Sequence, residues 1–255
     1  MAVAPPVGLI VLGARGRLGS LVLAEASKRS GDCAVLAALG RGDSLAPALA
    51  PALSRQGAFA VIDVTTAGGT VAHARACVER KVPLVVATTG MSPDDERALQ
   101  EAASAIPVLV AANLSLSAHI AAQLVQQAAR GLPAFDVEVV EVHHKRKQDA
   151  PSGTALMLAR AAALGRLQDL AAPGVLLRGR DGRSPRVQGE IGVSAVRGGD
   201  VVGEHTVLLL GDGERLEIIH RITDRAVFAR GAIAAALFLA GQAPGRYTMA
   251  DVLTS

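Results

Sequence analysis

Aromatic residues are scarce in this chain of 255 residues: Phe, Trp and Tyr together make up 2% of it, and Trp is absent. Bases of single-stranded nucleic acids bind by stacking on aromatic side chains, so a nucleic-acid partner is not expected. The formal net charge is only +3, too small for a strongly basic face. Half of the residues are apolar and 19% are charged, which excludes an intrinsically disordered chain.

Cysteines and long apolar runs are also few. Cys33 and Cys77 have neither metal nor redox spacing, so we expect no disulfide and no metal site. The longest apolar run, Ala232 to Ala240, is too short to cross a bilayer. The N-terminus has no basic leader before an apolar core. These absences predict a soluble cytoplasmic protein with no membrane partner.

The first part of the chain alternates between short apolar strands and amphipathic helices. The predicted strands are Val7 to Leu12, Ala34 to Leu39, Ala60 to Val64, Leu84 to Ala87 and Val108 to Ala111. The predicted helices are Leu18 to Lys28, Thr70 to Glu79 and Pro93 to Ser104. This alternation predicts an α/β fold with a doubly wound parallel sheet. The glycine turn after the first strand adds the prediction that this sheet binds a dinucleotide.

After Asn113 the pattern changes to strands in which apolar and polar residues alternate. Such alternation is typical of an antiparallel sheet with one wet face. The predicted elements are a helix at Ser117 to Arg130, strands at Asp136 to Val142, His205 to Leu210 and Glu214 to His220, a helix ending near Leu164, and a long loop at Ala172 to Gly189. A last helix, Ala226 to Ala240, is suited to packing on the first sheet. We predict two domains, residues 1–114 with 225–255 and residues 115–224.

A glycine turn follows the first strand and precedes the first helix. It contains Gly13, Gly16 and Gly19 at spacings of three, with Arg15 where a second glycine is often found. Glycines in this context let the backbone approach a pyrophosphate at the N-terminus of the helix. A tight structural turn would use glycine equally well.

The polar loop from His143 to Gly153 carries groups suited to an anionic substrate. Lys147 supplies a positive charge, and Ser152, Gly153 and Thr154 present backbone N–H donors at the start of a helix. His143 and His144 can hold a proton near neutral pH. Two alternatives remain open from the residues alone: a solvated basic turn at 145–147, and a short nucleic-acid patch.

The stretch Glu141 to Ala155, EVHHKRKQDAPSGTA, resembles the dihydrodipicolinate reductase family. Supporting segments are GARGRLG, VIDVTT, the TTG of Thr88 to Gly90, AANLS from Ala111, VRGGDVVGEHT from Val196, and ERLEIIH from Glu214. The resemblance extends over essentially the whole chain. It implies NADH- or NADPH-dependent reduction of 4-hydroxy-tetrahydrodipicolinate with loss of water, in lysine and diaminopimelate biosynthesis. It also implies a substrate-binding second domain with a largely open mixed sheet that forms a homotetramer.

The resemblance implies a role for each matching residue. His143 is the proton donor and Lys147 the second catalytic residue, while His144, Lys147, Ser152, Gly153 and Thr154 bind the substrate carboxylates. The implied cofactor-binding residues are Gly13, Ala14, Arg15, Gly16, Arg17, Leu18, Arg41, Ala87, Thr88, Thr89, Ala111, Ala112, Asn113 and Leu114. His205 matches the family too, and we expect it to be structural.

Three departures from the family pattern concern the cofactor. Ala87 replaces a usual glycine, and Ser117 and His119 replace a usual Gly and Asn. Gly40 stands at the end of the second strand, where an acid would accept the ribose 2′-OH of NAD. With Arg41 beside it, the sequence predicts a preference for NADPH over NADH, although Asp43 could take the place of the acid.

Two other functions are compatible with the residues. A different two-domain dehydrogenase would share the nucleotide fold but would not need the loop from His143 to Gly153. A nucleotide-binding homologue with lost chemistry would tolerate the departures at Ala87, Ser117 and His119, but would not need both His143 and Lys147.

Overall fold

The computed structural model describes residues 5–53 and 57–254, in two compact units. The first unit is Met1–Ser115 with Arg225–Ser255, and the second is Leu116–Asp224. Among the described residues, no helix combines the length and apolar character needed to cross a bilayer.

The first unit is built around a six-stranded parallel sheet in the order β11-β5-β4-β3-β1-β2. Its strands are β1 (Val7–Leu12), β2 (Cys33–Leu39), β3 (Phe59–Asp63), β4 (Leu84–Val86), β5 (Pro107–Val110) and β11 (Gly245–Tyr247). Its helices are α1 (Arg17–Ser27), α2 (Leu45–Leu53), α3 (Ala67–Arg80), α4 (Pro93–Ala103), α7 (Ala226–Leu239) and α8 (Met249–Leu253).

The prediction of a doubly wound parallel sheet is confirmed. The strand order reverses at β1, which has β2 on one side and β3 on the other. Ligands of open α/β sheets bind at the carboxyl ends of strands beside such a reversal. Helix α7 packs against α1, β3 and β4. Elements α2, β11 and α8 were not predicted.

The second unit contains a five-stranded mixed sheet in the order β10-β9-β6-β8-β7. Its strands are β6 (Asp136–His143), β7 (Leu176–Arg178), β8 (Ile191–Arg197), β9 (Gly203–Leu210) and β10 (Arg215–Ile222), and its helices are α5 (Leu116–Gly131) and α6 (Gly153–Gly165). The mixed sheet is confirmed: β9 is antiparallel to β6 and β10, whereas β8 is parallel to β6 and β7.

One sequence interpretation of this unit was wrong. The stretch from Ala172 to Gly189 is not loop throughout, because the short edge strand β7 lies within it. The alternating strands β6, β9 and β10 pair antiparallel, as their pattern predicts, and the unpredicted strand β8 lies parallel to β6. Gly192 and Ser194 interrupt the apolar pattern of β8, which concealed this strand.

Strand β6 places the candidate site. Its buried side chains are Val137, Val139, Glu141 and His143, on the face that packs against α5 and α6. The first two belong to the apolar core, and the last two bring a carboxylate and an imidazole to the carboxyl end of the same row. The fold therefore buries ionisable groups where β6 leads into the polar loop.

Candidate active site

The glycine turn after β1 is tightly folded. Gly13 has a φ of +80°, in the region that favours glycine, and Gly16 is the N-cap of α1 without a side-chain cap. A Cβ added to Gly19 would lie 2.1 Å from the carbonyl oxygen of Gly13. The turn thus needs glycine for close backbone packing and leaves the N-terminus of α1 open to an anion.

A cavity of about 490 Å³ lies over this turn, at the carboxyl ends of β1, β2 and β3. It is lined by Gly13, Arg15, Gly16, Gly40, Arg41, Gly42, Asp43, Val64, Thr65, Thr66, Gly69 and His73. The position at the strand reversal, the glycine turn and the two arginines fit the adenosine and phosphate groups of a dinucleotide. Of the predicted cofactor residues, Gly13, Arg15, Gly16 and Arg41 line it.

The loop after β2 is fastened by Asp43. Its carboxylate accepts a hydrogen bond from the Gly40 N–H at 2.8 Å and lies 3.7 Å from Arg15. The side chain of Arg15 also packs beside Gly40, where an added Cβ would be 3.0 Å from it. Asp43 is therefore part of the cavity wall, but it is already engaged by its own loop and by Arg15.

Sequence reasoning missed His73 in this cavity. Its Nδ1 is 2.8 Å from the carboxylate of Asp63, which is fully buried at the end of β3. The Asp63 carboxylate also accepts hydrogen bonds from the N–H and hydroxyl groups of Thr65. An acid at the end of a parallel strand was the available signal, but nothing in the sequence linked it to His73, the seventh residue of α3.

The other predicted cofactor residues lie on the turn or after neighbouring strand ends. Ala14, Arg17 and Leu18 belong to the glycine turn and α1, while Ala87, Thr88 and Thr89 follow β4, and Ala111, Ala112, Asn113 and Leu114 follow β5. Thr88 is buried and 3.2 Å from the Thr70 hydroxyl. Ala87 is not among the described residues with positive φ, so the backbone accommodates this departure. The second departure, Ser117, shares a 3.0 Å hydrogen bond with His220.

In the second unit, the carboxylate of Glu141 joins residues from three elements. It is fully buried and accepts hydrogen bonds from both terminal nitrogens of Arg197, at 3.0 and 2.8 Å, and from the Ser152 N–H at 3.0 Å. It also contacts Nδ1 of His143. Burial raises the pKa of Glu141, but the hydrogen bonds from Arg197, Ser152 and His143 outweigh it and lower the pKa overall. Glu141 is thus ionised.

His143, the predicted proton donor, is 8% exposed and bonded to Glu141 through Nδ1. Because the Glu141 carboxylate can only accept, Nδ1 carries a hydrogen and Nε2 is the atom left to exchange a proton. Burial lowers the pKa of His143, and the positive charges of Lys147 and Arg197 lower it further, against the opposing effect of Glu141. The imidazole is therefore neutral near pH 7 until negative charge approaches it.

Two more histidines continue this cluster across the sheet. The ring of His205 lies 5.2 Å from that of His143 and 6.2 Å from that of His220. His205 also shares a 3.1 Å hydrogen bond with the hydroxyl of Ser152. His205 therefore contacts the site directly, which the sequence did not reveal. The signal was present, because His205 occupies an inward position in the alternation of β9.

The loop after β6 supplies the cationic side of the site. Lys147 has a partly buried side chain, with Nζ 2.8 Å from the carboxylate of Asp149. Ser152 caps α6 by accepting a hydrogen bond from the Ala155 N–H at 3.1 Å, and Gly153 and Thr154 form the first turn. His144 has a buried Nδ1 with no hydrogen-bond partner. The predicted substrate residues thus belong to one loop and one helix N-terminus, suited to carboxylates.

Glu141, His143 and His205 also bring potential metal-ligand atoms within 4.8 Å of one another. Both oxygens of Glu141 already accept hydrogen bonds, and the guanidinium of Arg197 is in direct contact with them. A cation here would displace those donors and meet a positive charge. The cluster therefore fits proton exchange better than metal binding.

The first unit has a parallel sheet with a cavity at the strand reversal, as dinucleotide-binding proteins do. The second unit has a histidine that can exchange a proton beside an anion-binding loop. Together these features define the class of nucleotide-dependent oxidoreductases. The family model described as "Dihydrodipicolinate reductase, N-terminus" matches residues 7–114, and "Dihydrodipicolinate reductase, C-terminus" matches residues 117–253. The chain belongs to the dihydrodipicolinate reductase family. It is an oxidoreductase whose cofactor is a pyridine nucleotide.

Individual relatives agree with the family. Proteins named 4-hydroxy-tetrahydrodipicolinate reductase from Myxococcus xanthus and Caulobacter vibrioides are 45% and 46% identical to this chain, and the matches cover 96% and 97% of both partners. A structure titled dipicolinate-bound dihydrodipicolinate reductase from Paenisporosarcina sp. TG-14 has a TM-score of 0.73 at 21% identity, over 96% of this chain and 98% of the other. That likeness concerns the fold.

Proposed function

We propose that the protein reduces 4-hydroxy-tetrahydrodipicolinate to tetrahydrodipicolinate, with loss of water, in lysine and diaminopimelate biosynthesis. The observation that carries the proposal is the cluster formed by His143, Lys147 and the N-terminus of α6, fastened by the buried Glu141. The names of the full-length relatives support the same reaction.

The substrate is a ring with two carboxylates, which matches the donors of the loop. Lys147 and His144 supply side-chain groups, and the Ser152–Thr154 turn supplies backbone N–H groups at a helix N-terminus. When a carboxylate approaches, Lys147 exchanges its partner Asp149 for the substrate. We assign residues 115–224 to substrate binding and residues 1–114 with 225–255 to the dinucleotide.

His143 supplies the proton. The net reaction takes up one hydride and one proton and releases one water. In the free protein the pKa of His143 is lowered by burial and by Lys147 and Arg197. A bound dianion adds negative charge, which raises that pKa and lets Nε2 hold the proton that it donates. Substrate binding thus favours the protonated form of His143, which is the form that donates the proton.

The bound dinucleotide supplies the hydride, and the glycine turn, Arg15 and Arg41 would hold its phosphates and ribose. We propose NADPH as the preferred form. Gly40 offers no acid to the ribose 2′-OH, and Asp43 is held by the Gly40 N–H and lies near Arg15. Arg41 lines the same cavity and can form two charge-assisted bonds to a 2′-phosphate. Ala87 to Thr89 and Ala111 to Leu114 would line the remainder of the cofactor site.

We propose further that the protein is a homotetramer in the cytoplasm, assembled through the second sheet. Helices α5 and α6 cover one face of this sheet. The opposite face carries Val196 and Ile219, each 47% exposed, among other half-buried apolar side chains. Light scattering should give four chains per particle, and Ile219→Asp should lower that number.

The function is tested by supplying the substrate fresh from the condensing synthase that makes it and following NADPH oxidation. Parallel assays should replace it with semialdehydes in the presence of NADPH, and with amino acids in the presence of NADP+ while following NADPH formation. We expect turnover with 4-hydroxy-tetrahydrodipicolinate and none with the amino acids or semialdehydes. Tight NADPH binding without turnover would instead indicate a homologue with lost chemistry. Turnover of an amino acid or a semialdehyde would indicate another dehydrogenase.

A further inference from the structure

Glu141 has every acceptor position filled by a donor. Oε2 accepts from His143 and from Arg197 Nη1 at 3.0 Å, while Oε1 accepts from the Ser152 N–H at 3.0 Å and Arg197 Nη2 at 2.8 Å. One buried carboxylate thus fixes both the imidazole and the first residue of the α6 N-terminus. A carboxylate can accept about four such bonds, so the arrangement is saturated.

Arg197 extends the same arrangement to the loop. Its Nη2 also donates to the backbone carbonyl of Asp149 at 2.6 Å, and the side chain of Asp149 binds Lys147 at 2.8 Å. Arg197 therefore contacts Glu141 on one side and the loop segment beside Lys147 on the other. It comes from β8, a strand separate from the loop and from β6.

We propose that Glu141 and Arg197 are a positioning pair, which holds His143 with Nε2 as its proton-donating atom and aligns the Ser152 turn with it. The inference rests on the proposed function, because it assigns a task to residues that do not touch the substrate. Gly203 is compatible with it, since a Cβ there would lie 3.0 Å from Nε2 of His143 and crowd that atom.

A purely structural ion pair explains the arrangement less well. The same row of β6 is apolar at Val137 and Val139, and burying an ion pair costs desolvation that a packed apolar pair avoids. Stability alone therefore does not require a charge at Glu141. Holding one histidine tautomer does require an acceptor there.

Glu141→Gln separates the two explanations. The amide NH₂ must replace one oxygen, where it meets either the His143 and Arg197 Nη1 donors or the Ser152 and Arg197 Nη2 donors. In the first case His143 must turn its unprotonated Nδ1 toward the amide, and in the second the α6 turn loses its acceptor. Either change misplaces a group needed in the reaction.

The charged and titratable groups facing His143 define a second readout. They are Glu141 on β6, Arg197 on β8, His205 on β9 with His220 of β10 behind it, and Lys147 on the loop. Among these, Glu141 raises the pKa of His143, and Lys147 and Arg197 lower it. Removing the Glu141 charge should therefore move the alkaline fall in kcat/KM to lower pH.

The experiment compares wild type, Glu141→Gln and Arg197→Lys, with Glu214→Gln as the matched control in an exposed turn at the opposite end of the sheet. We expect Glu141→Gln to lose roughly 10²-fold or more in kcat, with the pH midpoint lowered and NADPH affinity unchanged. Arg197→Lys keeps the positive charge but contacts one oxygen at a time, and should lose about tenfold.

Three outcomes would overturn the inference. The first is a kcat for Glu141→Gln within about threefold of the wild-type value. A tenfold change in kcat corresponds to about 1.4 kcal/mol in activation free energy, so a threefold change is about half of that. The second is a loss of activity at an unchanged pH midpoint, which indicates a structural role. The third, decisive if Glu141→Gln does not fold, is full activity of Arg197→Lys. An inactive wild type would refute the proposed reaction instead, so the two failures are distinguishable.

Discussion

The ring of His205 lies edge-on against the ring of His143, with 5.2 Å between their centres and 76° between their planes. His205 belongs to β9 and His143 to β6, and the neighbouring Ser152 hydroxyl is hydrogen-bonded to His205. The proposed proton donor thus packs against a second, more deeply buried histidine. Burial lowers the pKa of His205 to about 4, with smaller contributions from His143, His220 and Lys147 and an opposing one from Glu141.

This burial predicts an acid-sensitive fold. Between pH about 6.5 and about 4, the unfolded chain binds a proton at His205 that the folded chain does not. Stability should therefore decrease as pH falls through this window, by on the order of 3 kcal/mol from this residue. In urea unfolding followed by circular dichroism, His205→Gln should show a shallower decline than wild type. An equal loss of stability with falling pH in wild type and His205→Gln would contradict the assignment of this pH dependence to His205.

A flat dicarboxylate should compete with the substrate. Pyridine-2,6-dicarboxylate offers two carboxylates to Lys147 and to the Ser152–Thr154 N–H groups. We expect competitive inhibition that weakens strongly in Lys147→Ala and is much poorer for pyridine-2-carboxylate. Inhibition undiminished in Lys147→Ala would place the anion elsewhere.

Cofactor preference should change at the end of β2. Arg41→Ala should weaken NADPH use and spare NADH, because only NADPH carries the 2′-phosphate. Gly40→Glu should shift the preference toward NADH by adding an acid for the 2′-OH, and the nearest neighbours of its Cβ are atoms of the flexible Arg15 side chain. The measurement is kcat/KM for both cofactors. A wild type that prefers NADH tenfold or more, about 1.4 kcal/mol, would be incompatible with this account.

The glycine turn should not tolerate a methyl group. In Gly19→Ala the Cβ would meet the Gly13 carbonyl oxygen at 2.1 Å, so the backbone of the turn must move. We expect NADPH affinity to fall and the first unit to lose stability. Gly131→Ala is the control, because its Cβ meets nothing within 4 Å. The chain has no Trp, so NADPH fluorescence reports binding without Trp emission. Equal affinities for the two variants would show that the turn does not hold the cofactor.

Much of the fold followed from periodicity, and the exceptions have physical causes. Buried parallel strands such as β1 and β3 are continuous apolar runs, so their positions were predictable. Helix α2 was not, because Pro47 and Pro51 argue against a helix. The three-residue strands β7 and β11 are too short to show alternation.

The site was predictable only in its contiguous parts. His143, Lys147 and the Ser152 turn lie within one stretch of chain, so their spacing could be interpreted. Arg197 and His205 join them through the register of β6 with β8 and β9, in which His143 is paired with Arg197 and Glu141 with His205. Register between distant strands is a tertiary property. A charged residue at an inward position, such as Glu141, was the one local sign of it.

The most direct test compares wild type, His143→Gln and Lys147→Ala in NADPH oxidation with freshly synthesised 4-hydroxy-tetrahydrodipicolinate, with Lys145→Ala as the control in the same loop. Wild type and the control should turn over, whereas the two variants should lose roughly 10²–10⁴-fold in kcat while binding NADPH normally. Wild-type kcat in either His143→Gln or Lys147→Ala would contradict the account.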